Sequence, residues 1–111
     1  MNSNIPQPIF LAGGLLTTGG GVGDKVQTVQ GCTAIDAGTG TWGITLDVPA
    51  PDDEVILSVT PGPGSNIPEG ISFGIGTGGA GIYTIVAYRN DTGAVVDVPV
   101  WFSVWRVQAI R

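Results

Sequence analysis

Beyond residue 24, apolar and polar positions alternate in runs too short for a helix, each closed by proline, glycine or acidic residues. Thr41 to Val48 sets Trp42, Ile44, Leu46 and Val48 on one side of a strand, and Pro49-Ala50-Pro51-Asp52-Asp53 stops it. Glu54 to Thr60 follows and ends at Pro61-Gly62-Pro63-Gly64. Ile71, Phe73 and Ile75 alternate before the glycines between 76 and 81 close that run. Ile82 to Arg89, Ala94 to Val98 and Val100 to Val107 complete the series, with the turn Asn90-Asp91-Thr92-Gly93 between the first two. A further candidate spans Asp24 to Thr33. No stretch of ten residues carries a helical period. The pattern predicts an all-β fold: an antiparallel β-sandwich, jelly-roll-like, of about seven to eight short strands over residues 24–111.

Residues 1–23 read differently. They are punctuated by Pro6, Pro8, Gly13-Gly14 and the run Gly19-Gly20-Gly21-Val22-Gly23, with no sustained period. Yet Ile5, Ile9, Phe10, Leu11, Leu15 and Leu16 lie in this stretch. Fixing some twenty backbone residues costs on the order of 1–2 kcal/mol each. Burying six such side chains returns roughly 1.5–3 kcal/mol each. Burial alone falls short, so the segment is expected to be an extended N-terminal arm, loose until a neighbouring surface adds backbone hydrogen bonds.

The final strand has two apolar faces. Val100, Phe102 and Val104 share one, Trp101, Trp105 and Val107 the other. One face can fill a sandwich core. The second leaves two indoles in water unless a second copy, or else the arm or a long loop of the same chain, covers them. Exposed apolar patches of this size mark interfaces, and the expectation is a homo-oligomer.

Composition narrows the chemistry. At 111 residues there is room for one domain, which buries roughly two thirds of its unfolded surface. Charged residues are 12% and hydrophobic ones 42%, a balance that favours collapse over disorder. Four cations (Lys25, Arg89, Arg106, Arg111) against nine carboxylates give a net charge of −5, so no basic stripe exists to track phosphates and nucleic-acid binding is not expected. Zero histidines and the single Cys32 leave no Cys/His zinc set, no imidazole for a triad and no intrachain disulfide. No enzyme activity, cofactor or metal is expected. The stretch Ile9 to Leu16 is too short and too glycine-interrupted to span a bilayer, and the first residues lack a cationic secretory region. A product synthesised soluble in the cytoplasm is expected.

Several motifs dissolve in context. Gly74-Ile75-Gly76-Thr77-Gly78-Gly79 is a literal GxGxxG, but a strand follows where a dinucleotide fold needs a helix, so a hairpin loop explains it. In Gly19 to Lys25, Asp24 intrudes before the lysine and Val26 stands where Ser or Thr must meet magnesium. Asp52-Asp53-Glu54 reads as a solvated acidic turn that discourages edge pairing. Asn90-Asp91-Thr92 fits a glycosylation sequon and equally a plain turn. Trp42, Tyr83 and Tyr88 are the candidate stacking platforms if a carbohydrate is bound.

From Gly38 to Val107, about two thirds of the chain, the sequence resembles a recurring β-sandwich of tailed-bacteriophage virion proteins. Gly40 to Asp52 is similar to their strand, proline and acidic-turn opening, with Val55 to Thr60 as the next strand. Tyr83 to Asn90 and Val96 to Val107 resemble their paired final strands, although Trp101 and Trp105 are bulkier than the family's usual residues there. The family includes capsid decoration (cement) proteins, head fibres and fibre tips. The resemblance implies a homotrimer, with Trp101, Trp105 and Val107 at the trimer interface. The short arm, in place of a long repetitive shaft, favours a cap on the virion surface. Ile5, Ile9, Phe10, Leu11, Leu15 and Leu16 would then lie on the major capsid protein and resist shell expansion. The alternative is a receptor- or carbohydrate-binding fibre tip that meets a host-surface glycan through the glycine-rich loop 74–81.

Overall fold

A computed structural model describes residues 8–18, 25–51, 54–62 and 70–107. Eight strands are present: β1 (Pro8–Thr18), β2 (Lys25–Gln30), β3 (Cys32–Asp36), β4 (Thr41–Leu46), β5 (Val55–Pro61), β6 (Ile71–Gly79), β7 (Ile82–Arg89) and β8 (Val100–Val107). They form two four-stranded antiparallel sheets, ordered β2-β1-β8-β5 and β3-β4-β7-β6, which face each other across one core. The pairing is nested. β1 meets β8, and inside that pair β4 meets β7, as in a rolled antiparallel ribbon. The predicted all-β sandwich is the observed fold.

The alternation read from the sequence supplies the core. Trp42, Ile44 and Leu46 of β4 and Tyr83, Ile85 and Ala87 of β7 point inward from one sheet, and Val100, Phe102 and Val104 of β8 from the other. Val48, expected on the same inward side, is 70% exposed because β4 ends at Leu46. Ala94 to Val98 forms only a bridge, Val95 to Tyr88, although the Val96 amide donates to the Ala87 carbonyl at 3.0 Å and Val98 is buried. The glycines after Ile75 do not close β6, which runs on to Gly79 in a hairpin with β7.

Two corrections change the architecture. The candidate strand from Asp24 to Thr33 is broken at Gly31, with β2 in one sheet and β3 in the other. Gly31 has φ 75°, and a Cβ there would collide with the Leu11 carbonyl oxygen. Only glycine permits both that conformation and that approach. The chain therefore changes sheets within a single residue.

The second correction concerns the arm. Residues 8–18 are β1, an interior strand bonded on one side to β2 and on the other to β8. The backbone partners that burial alone could not replace come from the same chain. Leu16 and Ala12 are wholly buried, and Leu11 packs against the core. Leu16 is thus unavailable for a capsid, and the loose arm is not what residues 8–18 form. Ile5 lies outside the described residues, as do the glycine run 19–23 and Asp52-Asp53.

Candidate assembly face

The outer side of the β2-β1-β8-β5 sheet is organised in rungs, because residues directly opposite on neighbouring strands project to the same side. One rung is Phe10, Trp105 and Ile56. The next is Gly13, Ser103 and Ser58, with Gln30 of β2 opposite Gly13. The third is Leu15, Trp101 and Thr60. Successive rungs lie two residues, about 7 Å, apart along a strand.

A bulge sets which β1 side chains reach this face. Phe10 pairs with Trp105 and Ala12 with Val104, leaving Leu11 as an extra residue with no opposite number. Phe10 therefore points out, while Ala12, two positions on, points in. The Phe10 ring meets the Trp105 indole edge to face, centroids 5.3 Å apart at 76°, the geometry that aromatic quadrupoles favour. It also leans over Gly13, where Cε1 and Cζ would lie 3.1 and 3.2 Å from an added Cβ.

The sequence-predicted site residues divide accordingly. Trp101, Trp105 and Val107 all belong to the outer side of β8, as the alternation requires. Trp105 and Val107 are half-buried beside β1, so residues 8–18 provide part of the cover that was weighed against a second copy. Trp101 is 47% exposed. Around Trp105 an apolar end remains open: Phe10 and Ile56 are exposed at 45% and 54%, while Ile9, opposite Arg106, is exposed on the other side of the sheet. The roles of Phe10 and Ile56 here had no sequence signal, since only the register shows that they share a rung with Trp105. Leu15 is half-buried on the same side, near Gly62.

Electrostatics at this end are quiet. Arg106 Nε donates to Glu54 Oε1 at 2.9 Å, pinning the start of β5 to the end of β8 and pairing the nearest cation with a carboxylate. The loop 74–81 carries no cluster of platforms. Trp42 and Tyr83 are buried in the core, so neither can stack on a sugar, and Tyr88 lies over Gly74, with Cε2 3.2 Å from where a Cβ would be. Asp91 accepts two bonds from Arg89, at 2.9 and 2.8 Å, which hold its carboxyl below the usual range. Burial, helped by the charge of Asp47, pushes the Cys32 thiol up. It is consequently a poor nucleophile at neutral pH.

The fold and this face define an all-β sandwich with one outer side built of aromatic rungs. No protein-family model, curated protein or solved structure matches the chain.

Proposed function

We propose that this chain is a structural virion protein, a capsid decoration (cement) protein that self-associates as a homotrimer on the outer surface of the major capsid protein shell. The observation that carries the reading is the open apolar end of the aromatic sheet, where Phe10 and Ile56 stay exposed on either side of Trp105. A contiguous apolar patch across the paired strands β1, β8 and β5 is the kind of surface that a subunit contact uses. A three-fold contact is heterologous, so this end of one copy meets a different surface of the next. Trp105 and Val107 belong to that contact, and Ile9, exposed on the other side of the sheet at the same end, meets the shell. Several weak contacts per trimer then add by avidity to resist shell expansion. The resemblance of Gly38 to Val107 to tailed-phage virion sandwiches supports the same reading, with the virion surface as its location.

Light scattering of the purified chain, alone and with empty capsid shells, tests it. Trimers that co-sediment with shells are expected. Monomers that ignore shells would overturn it.

A further inference from the structure

Trp101 stands apart from the apolar end, separated from Trp105 by the Gly13, Ser103 and Ser58 rung. Its indole borders two depressions. One, of about 360 Å³, lies over β1 and is lined by Phe10, Gly13, Gly14, Gln30, Trp101 and Phe102. The other, of about 230 Å³, lies over β5 and is lined by Ser58, Thr60, Trp101, Phe102 and Ser103. The first reaches the size at which small-ligand sites begin. Both are shallow and open, with the aromatic ridge between them held on β8, which has paired strands on either side.

The lining chemistry selects the ligand class. Neither depression is lined by a charged side chain. An anionic ligand would find no cation to pair with and would approach a chain of net charge −5. A purely apolar ligand would strip water from Ser58, Thr60, Ser103 and Gln30 without replacing their hydrogen bonds. Hydroxyls both donate and accept, and a carboxamide does the same through two separate atoms. A flat aromatic face beside such groups matches a molecule with an apolar C–H face and a hydroxyl-bearing rim. We infer that the outer face around Trp101 is a binding site for a neutral saccharide, one ring stacked on the indole, with its hydroxyls on Ser58, Thr60 and Ser103 and on Gln30 across the ridge.

This site differs from the one sought in the sequence, where loop 74–81 with Trp42, Tyr83 and Tyr88 was the candidate. It overlaps the assembly reading, which rests on the Phe10, Trp105 and Ile56 rung, only at Phe10 on the edge of the larger depression. A proline-rich peptide is the competing occupant of an aromatic groove. The hydroxyls of Ser58, Thr60 and Ser103 favour the saccharide.

The test is titration of the full chain with maltohexaose, cellohexaose, triacetylchitotriose and a galacto-oligosaccharide, followed by tryptophan fluorescence and calorimetry. At least one should shift the emission to the blue and saturate. Trp101→Ala should weaken that binding by about tenfold or more, Trp101→Tyr should retain most of it, and Ser103→Ala should cost about threefold, as loss of a stacked ring and of one neutral hydrogen bond predict. Sedimentation of all three variants should match the parent. Silence towards all four sugars, or binding that survives Trp101→Ala, would overturn the inference. So would decaproline binding in their place. Loss of assembly in Trp101→Ala would overturn it too, by giving the ring to a subunit contact, whereas failure of the assembly reading alone would leave sugar binding intact in a monomer.

Discussion

On the outer side of β4 and β7, Gly43 has Ile35 and Thr84 beside it, Thr45 has Thr33 and Ile82, and Thr41 sits opposite Val86. On the outer side of β1, β8 and β5, Phe10, Trp105 and Ile56 share a single rung. Both sides carry large apolar residues, Ile35 at 58% exposure and Ile56 at 54% among them. What differs is their neighbours. In the β3-β4-β7-β6 sheet the large side chains have glycine to lie on: Ile35 covers Gly43, Tyr88 covers Gly74 and Ile82 covers Gly78. Ile35 sits opposite Gly43, Ile82 opposite Thr45 and Tyr88 opposite Ser72, with no aromatic ring opposite any of them. In the other sheet Phe10 alone has such a bed, at Gly13, and three large groups abut in one row. Scattered apolar residues are ordinary surface, whereas a row is a patch. Lateral pairing, not hydrophobic content, separates the two outer faces.

The comparison can be broken from beneath. Leu16→Ala removes a fully buried side chain from the layer that supports the aromatic rungs, and should cost about 2–5 kcal/mol. Denaturant unfolding reads this directly, and a loss below about 1 kcal/mol would mean that β1 is not an interior strand. Next in size is a charge placed on each face in turn. Ile56→Glu should weaken self-association by about thirtyfold, the effect of losing one interface hot spot. Thr84→Glu, on the opposite outer face, should leave the sedimentation profile unchanged. Equal effects from the two would erase the distinction between the faces.

Smaller effects sharpen it. Phe10→Ala removes the edge-to-face contact with Trp105 and the cover of Gly13, a stability loss of about 1 kcal/mol by thermal unfolding, and should move the fluorescence of Trp105 towards that of a solvated indole. Ile35→Ala uncovers Gly43 with no aromatic partner and should cost about half as much. Smallest of all is the turn after β7. The Asp91 carboxyl titrates below its ordinary value because Arg89 binds the charged form. Its stabilising contribution is therefore present above about pH 4 and disappears as pH falls through the lowered value. Both side chains are solvated, so Asp91→Asn should lower stability only slightly at neutral pH, leave it unchanged in strong acid, and flatten the acid limb of a pH-stability curve by that same small amount.

Parts of the fold were open to reading and parts were hidden. The inward set of β4, β7 and β8 followed from strict alternation, and the two-faced character of β8 pointed to the aromatic outer side. β1 stayed hidden because the bulge at Leu11 reverses the parity between Phe10 and Ala12, and because two of its inward positions are Ala12 and Gly14, too small to mark a period. The sheet change at Gly31 was hidden for another reason: the chain holds 19 glycines, and only the positive φ and the proximity of the Leu11 carbonyl make this one obligatory.

The sequence by itself determined that this chain is all-β, poor in catalytic side chains and apolar on both sides of its last strand. Those properties are local, set by which residue types alternate within a few positions. Only the tertiary structure decided that residues 8–18 are an interior strand, that Phe10 and Ile56 flank Trp105, and that Trp101 stands between two hydroxyl- and amide-lined depressions. Such facts depend on register between strands far apart in the chain, and hydrogen-bonded register is a property of pairs that no single segment encodes.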